Sequence, residues 1–92
     1  MFDVDPEVLA GFIMATKRWS KFVSKDHQKA CDCHWYFRKE YDFKYGDVAE
    51  SARYTVSHFG YVAHDQEFSG DTPEEPLKKT IDFIDEFISK EE

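Results

Sequence analysis

Long apolar runs, glycine, proline and cysteine are all scarce in this chain, and basic charge is scarce in its second half. No stretch approaches the ~18 apolar residues that cross a bilayer, so no membrane-spanning protein is expected. Four glycines and three prolines exclude a flexible linker or tail of any length. Neither a Gly-rich phosphate loop, nor an internal repeat, nor a paired-metal carboxylate motif is present. The opening Met1-Phe2-Asp3-Val4-Asp5-Pro6 is acidic where an export signal is basic. The two cysteines, Cys31 and Cys33, are one residue apart, a poor spacing for a structural disulfide. They are expected to stay thiols in a reducing compartment. The expectation is a soluble, cytoplasmic, single domain over residues 1–92.

What the chain has is rings and acid. Nine Phe, five Tyr and two Trp make it 17% aromatic, and 41% is hydrophobic. Large rings compensate for the poor surface-to-volume ratio of so small a domain. Charge is unevenly placed: residues 1–45 net +1, residues 46–92 net −8. Such asymmetry suggests a face for a basic partner, and an acidic domain repels nucleic-acid phosphates. Residues 65–92 hold ten acids against three lysines. Most of that stretch can be wound as one helix, with Thr72-Pro73-Glu74-Glu75 as a capping box and Pro76 allowing the start to slip. Leu77, Thr80, Ile81, Ile84, Phe87 and Ile88 mark its buried stripe. Glu75, Asp82 and Glu86 fall within about 40° of one another on the opposite face, with Asp85 beside them and Lys78 and Lys79 interrupting. Asp82 and Glu86 are roughly 6 Å apart along the axis, on the scale of neighbouring phosphates. On residues alone, a solvated face that keeps a small protein soluble is the simpler account.

Asp5-Pro6-Glu7 starts an N-terminal helix, with Val4 expected to staple onto Leu9. Val8, Leu9, Phe12, Ile13, Thr16, Trp19 and Val23 mark one face through about residue 25. Lys17, Lys21 and Lys25, with Arg18 beside them, line the other face. They pair with acids or are solvated, and the alternative is contact with phosphates. Asp26 to His34 holds the metal candidates His27, Cys31, Cys33 and His34, with His58 or His64 needed to complete a shell. The spacing matches no closed zinc site, and no cofactor or metal is expected. A cysteine nucleophile with a histidine base lacks an oxyanion site, so no enzyme is expected.

Residues 35–45 alternate, with Trp35, Phe37, Tyr41, Phe43 and Tyr45 on one side and only Lys39 breaking the set. This is the best strand signal, and it could also stack bases as single-strand binders do. After a turn at Gly46-Asp47, Asp47 to Glu50 reads as a capping box, with Val48, Ala52, Val56 and Phe59 at helical spacing up to Gly60. Tyr54-Thr55-Val56 and Tyr61-Val62 favour a strand instead, with Arg53–Ala63 or a second subunit as the partner of the aromatic strand. Residues 48–60 are therefore open between helix and strand. The fold class is α+β: N-terminal and C-terminal amphipathic helices around a short aromatic-rich antiparallel strand region.

In length, acidic second half and general character, the chain resembles the phage-encoded DNA mimics, specifically the Arn-type anti-restriction proteins of T-even phages. The resemblance implies that carboxylates arranged like phosphates occupy the DNA-binding cleft of a host restriction nuclease, or of a histone-like nucleoid-associated protein. It implies no direct contact with nucleic acid, no membrane, and a homodimer that lengthens the charged track. The expected contact residues are Asp65, Glu67, Asp71, Glu74, Glu75, Asp82, Asp85 and Glu86, with Asp47 and Glu50 as outliers. The cation row must then lie away from the acidic face. Two rival readings are a nucleic-acid-binding module using Lys17, Arg18, Lys21, Lys25 and the aromatic strand, and a small metal-binding regulator at His27, Cys31, Cys33 and His34.

Overall fold

A computed structural model describes residues 4–24, 34–44, 47–58 and 66–91. Helix α1 (Pro6–Val23) begins as its sequence dictates. The Asp5 carboxylate accepts the Glu7 amide at 2.9 Å, and Pro6 occupies the first turn, where no amide is needed. At the other end Ser24 donates its hydroxyl to the Lys21 carbonyl. The buried stripe is Phe12, Ala15, Trp19 and Val23, whereas Leu9 and Ile13 are 37% and 44% exposed. The expected stripe is thus rotated. The cause is helix–helix packing: a Cβ on Gly11 would stand 3.4 Å from the Ile81 side chain, so α1 turns its Gly11–Ala15 side to the second helix. Val4 packs against the cluster formed by Phe12, Val56 and Leu77, while its expected staple partner Leu9 is 37% exposed.

Three antiparallel strands follow in the order β1-β2-β3. β1 (Tyr36–Lys44) is the alternating aromatic segment, and it pairs Phe37 with Val56 and Glu40 with Arg53 before a register shift between Tyr41 and Phe43. β2 (Asp47–His58) corrects the helical reading of residues 48–60 over its length, and Asp47–Glu50 is strand, not a cap. Val48, Ala52 and Val56 are four apart, a spacing that suits one face of a strand as well as one face of a helix. The β-formers Tyr54 to Val56, paired on both sides, decide between the two. Phe59, Gly60, Tyr61 and Val62 lie outside the described residues.

β3 (Gln66–Gly70) is an element not anticipated from the sequence, lying ahead of the helix expected from Thr72 onward. Phe68 turns inward to Phe83, 5.7 Å between ring centres, and pairs with Val56, so one half-buried ring and a free edge of β2 outweigh the acids on either side. Helix α2 (Glu74–Glu91) then starts beyond the expected cap. Glu75 reaches back to the Asp71 amide at 2.8 Å rather than to Thr72. Pro76 is accommodated in the first turn, and its carbonyl accepts the Thr80 hydroxyl. Gly70 makes this closure possible, since a methyl there would stand 2.5 Å from the Glu75 Cβ. Gly70→Ala is therefore expected to cost about 1–3 kcal/mol by overpacking, read from urea denaturation. An unchanged midpoint would show that the junction relaxes freely.

Both helices lie on one face of the sheet. Trp19 is the hub: its ring meets Trp35 at 5.5 Å, His58 at 5.2 Å and Phe87 at 5.1 Å. His58 stacks under Trp35 at 4.4 Å. A second cluster of Phe12, Val56 and Leu77 joins the first through Ile81 and Trp35. The expected α+β architecture is the one observed.

Candidate functional site

The eight expected contact acids do not form one surface. Asp65 lies outside the described residues. Glu67 is on β3 beside the inward Phe68, so it projects from the face away from the helices, 3.9 Å from Arg38. Glu74 is half-buried, and its carboxylate accepts the Asp5 amide at 3.1 Å, joining the starts of the two helices. Glu75 is exposed but holds the Asp71 amide. Asp85 is paired with Arg18 at 2.6 Å and Glu86 with Lys90 at 3.1 Å. What the fold does bring together is a ridge on the outward side of α2. Glu75, Asp82 and Glu86 are all exposed there, with Asp71 exposed just before the helix. Asp47 and Glu50 are on β2, and their side chains are outside those described.

The cations also differ from expectation. Arg18 is bonded to Asp85, and α1 and α2 share one layer, so the α1 row borders the acidic helix instead of lying away from it. Lys17 and Lys21 are exposed, each roughly 160° around α1 from Trp19 by helical geometry. Lys25 is outside the described residues. Lys79 donates to the Ser69 carbonyl at 2.9 Å, which turns it off the α2 ridge toward β3. The net effect is a narrow carboxylate ridge with ammonium and guanidinium groups along its margins. Exposed pairs of this kind contribute about 0–1 kcal/mol each, so they dissolve readily against a competing charge.

The rival sites can be placed as well. Trp35 and Phe37 are half-buried against the core clusters, whereas Tyr41 on the same side of the strand is exposed. The exposed Tyr36 alternates with them and faces away from the helices, opposite the Lys17 and Lys21 layer. His27, Cys31 and Cys33 lie outside the described residues. His34 is exposed and stacks on Tyr36 with ring centres 6.4 Å apart. Among the described residues no three His, Cys, Asp or Glu side chains converge as a metal site. No helix there is long and apolar enough to cross a membrane.

Sequence reasoning missed two polar constellations on the sheet. Arg38 bonds Glu40 at 2.7 Å and the Ser57 hydroxyl at 2.6 Å, spanning two strands on the face without helices. The alternation of β1, which puts Arg38 and Glu40 on one side, was the available signal. On the other face Lys39 sits 5.1 Å from the Tyr41 ring centre and 5.4 Å from that of Tyr54. Hydrogen bonds to Tyr41 first, then Tyr54, raise its pKa above the ordinary lysine value. Its ammonium is thus charged throughout the neutral range, and whatever this cluster contributes is lost only as pH rises through that raised value. No protein-family model, no curated protein and no solved structure matches the chain.

Proposed function

We propose that this chain is a non-enzymatic DNA mimic whose acidic α2 ridge occupies the DNA-binding surface of a basic host protein. The observation that carries the reading is the exposed row of Glu75, Asp82 and Glu86 on a helix fixed to the core. Against it stand the α1 cations, which border the ridge rather than lying away from it as the mimic reading requires. The step from Asp82 to Glu86 advances about 6 Å and that from Glu75 to Asp82 about 10 Å, the scale of a few phosphate steps along a duplex strand at ~3.4 Å of axis each. A packed helix presents that charge without the ordering cost of a flexible acidic tail. The resemblance to Arn-type anti-restriction proteins names the target class, a host restriction nuclease, with a nucleoid-associated protein second. The nucleic-acid-binding alternative is less well served, because Trp35 and Phe37 pack against the core and Arg18 is engaged by Asp85, although Tyr41 on the same side of the strand is exposed.

Competition tests the proposal. Labelled duplex DNA bound to a modification-dependent restriction nuclease is mixed with this protein at low and high salt. The expected result is release of DNA at low salt, weaker at high salt as the charges are screened. Retardation of the DNA by this protein alone would overturn the proposal in favour of the Lys17 and Lys21 face.

A further inference from the structure

The acidic ridge ends beside a recess. Phe83, Glu86, Phe87 and Lys90 line an open pocket of about 150 Å³ near the C-terminal end of α2. Its two rings are 5.8 Å apart, centre to centre, and tilted by 35°. Both back onto the buried Trp19, at 6.0 Å and 5.1 Å, so the aromatic walls are held by the core. The rim carboxylate, Glu86, is 68% exposed and bonds Lys90, itself 73% exposed, one turn away. Exposed pairs at this spacing are weak. The pocket therefore combines two aromatic side chains backed by the core, one exposed carboxylate and a cation already paired with it.

That combination suits one side chain above others. Guanidinium is planar, weakly hydrated, stacks on aromatic faces and forms forked hydrogen bonds to a carboxylate. A lysine ammonium is a compact, strongly hydrated point charge that matches the carboxylate but not the walls. A phosphate or carboxylate ligand is repelled by Glu86. We propose that the Phe83–Phe87 recess anchors an arginine side chain of the basic partner, with Glu86 exchanging Lys90 for the incoming guanidinium. This rests on the reading of the α2 ridge as the partner surface. It adds a specificity that charge alone does not give: the ridge takes any cation, and the recess selects arginine.

The test uses two fluorescently labelled peptides of equal length and charge, nona-arginine and nona-lysine, titrated with the whole protein at moderate salt. The expected result is tighter binding of the arginine peptide by about two- to five-fold, the scale of one exposed cation–π contact. Phe87→Leu, which keeps an apolar side chain of similar bulk but removes the ring face, abolishes that preference and leaves the lysine peptide unchanged. Lys90→Gln widens the preference by freeing Glu86, and it does so without touching the core. Equal affinity for the two peptides overturns the anchor while leaving the acidic ridge intact. A preference that persists in Phe87→Leu, or one unmoved in Lys90→Gln, also overturns it. Failure to bind either peptide removes the ridge reading and the anchor together.

Discussion

Asp82→Lys with Glu86→Lys is expected to abolish release of DNA from the nuclease while leaving the fold in place. Both side chains are exposed, and the bond lost at Glu86 is an exposed pair to Lys90. The stability cost is therefore within about 1 kcal/mol. The binding cost is far larger. Two carboxylates that met cations become two ammoniums facing the same cations, and like-charge juxtaposition across an interface costs several kcal/mol. The concentration needed for half-release should rise by about 100-fold or more. Glu75 is omitted from the variant although it shares the ridge. Its carboxylate holds the Asp71 amide over Gly70, and reversing it would mix loss of contact with damage to the β3–α2 junction. The assay is the competition experiment, with thermal unfolding of the variant as the control for folding. A folded double variant that still releases DNA at the original concentration would remove α2 from the contact surface.

Trp19→Ala is expected to come near to unfolding the protein. The ring is 1% exposed and touches both layers, meeting Trp35 and His58 at the sheet and Phe83 and Phe87 on α2. Truncating a buried Trp costs about 3–5 kcal/mol, against a total of about 5–15 kcal/mol for a domain of ordinary stability. Urea denaturation followed by far-UV circular dichroism measures this. A loss below about 1 kcal/mol would mean that the two layers are held together elsewhere. Phe12, Val56 and Leu77 are the other cluster that could carry that load.

The contrast between these variants matches what was legible in the sequence. Helix α1 could be read because its start is chemically local: Asp5, Pro6 and Glu7 sit side by side, and the cap forms among them. The α2 stripe and β1 were legible for a related reason, as each repeats its period over several turns or residues. β2 was ambiguous because Val48, Ala52 and Val56 fit a period of two and a period of 3.6 equally well. β3 was hidden by its acids. Charge density drew Glu67 into the same reading as Glu75, although pairing of Phe68 with Val56 sends Glu67 to the opposite face of the sheet. Which edge of α1 is buried depends on how closely Gly11 approaches Ile81, and nothing in α1 states that. The site divides in the same way. Helical geometry put Glu75, Asp82 and Glu86 on one ridge. The bonds from Asp5 to Glu74 and from Arg18 to Asp85 join residues 69 and 67 positions apart, beyond the reach of any local pattern.

Those two long-range bonds bear on how the chain is made. A helix in a protein owes most of its stability to tertiary packing of its apolar face, and α1 carries Phe12, Trp19 and Val23 on that face. Its partners on α2 are synthesised about 67 residues later. At about 5–20 residues per second this is a wait of several seconds. The hairpin of β1 and β2 can pair in that interval, but the surface that covers Trp19 is completed only by Phe83 and Phe87. During synthesis the nascent chain thus presents an uncovered Trp19 face, and α2, which emerges after the sheet, is the element that closes it.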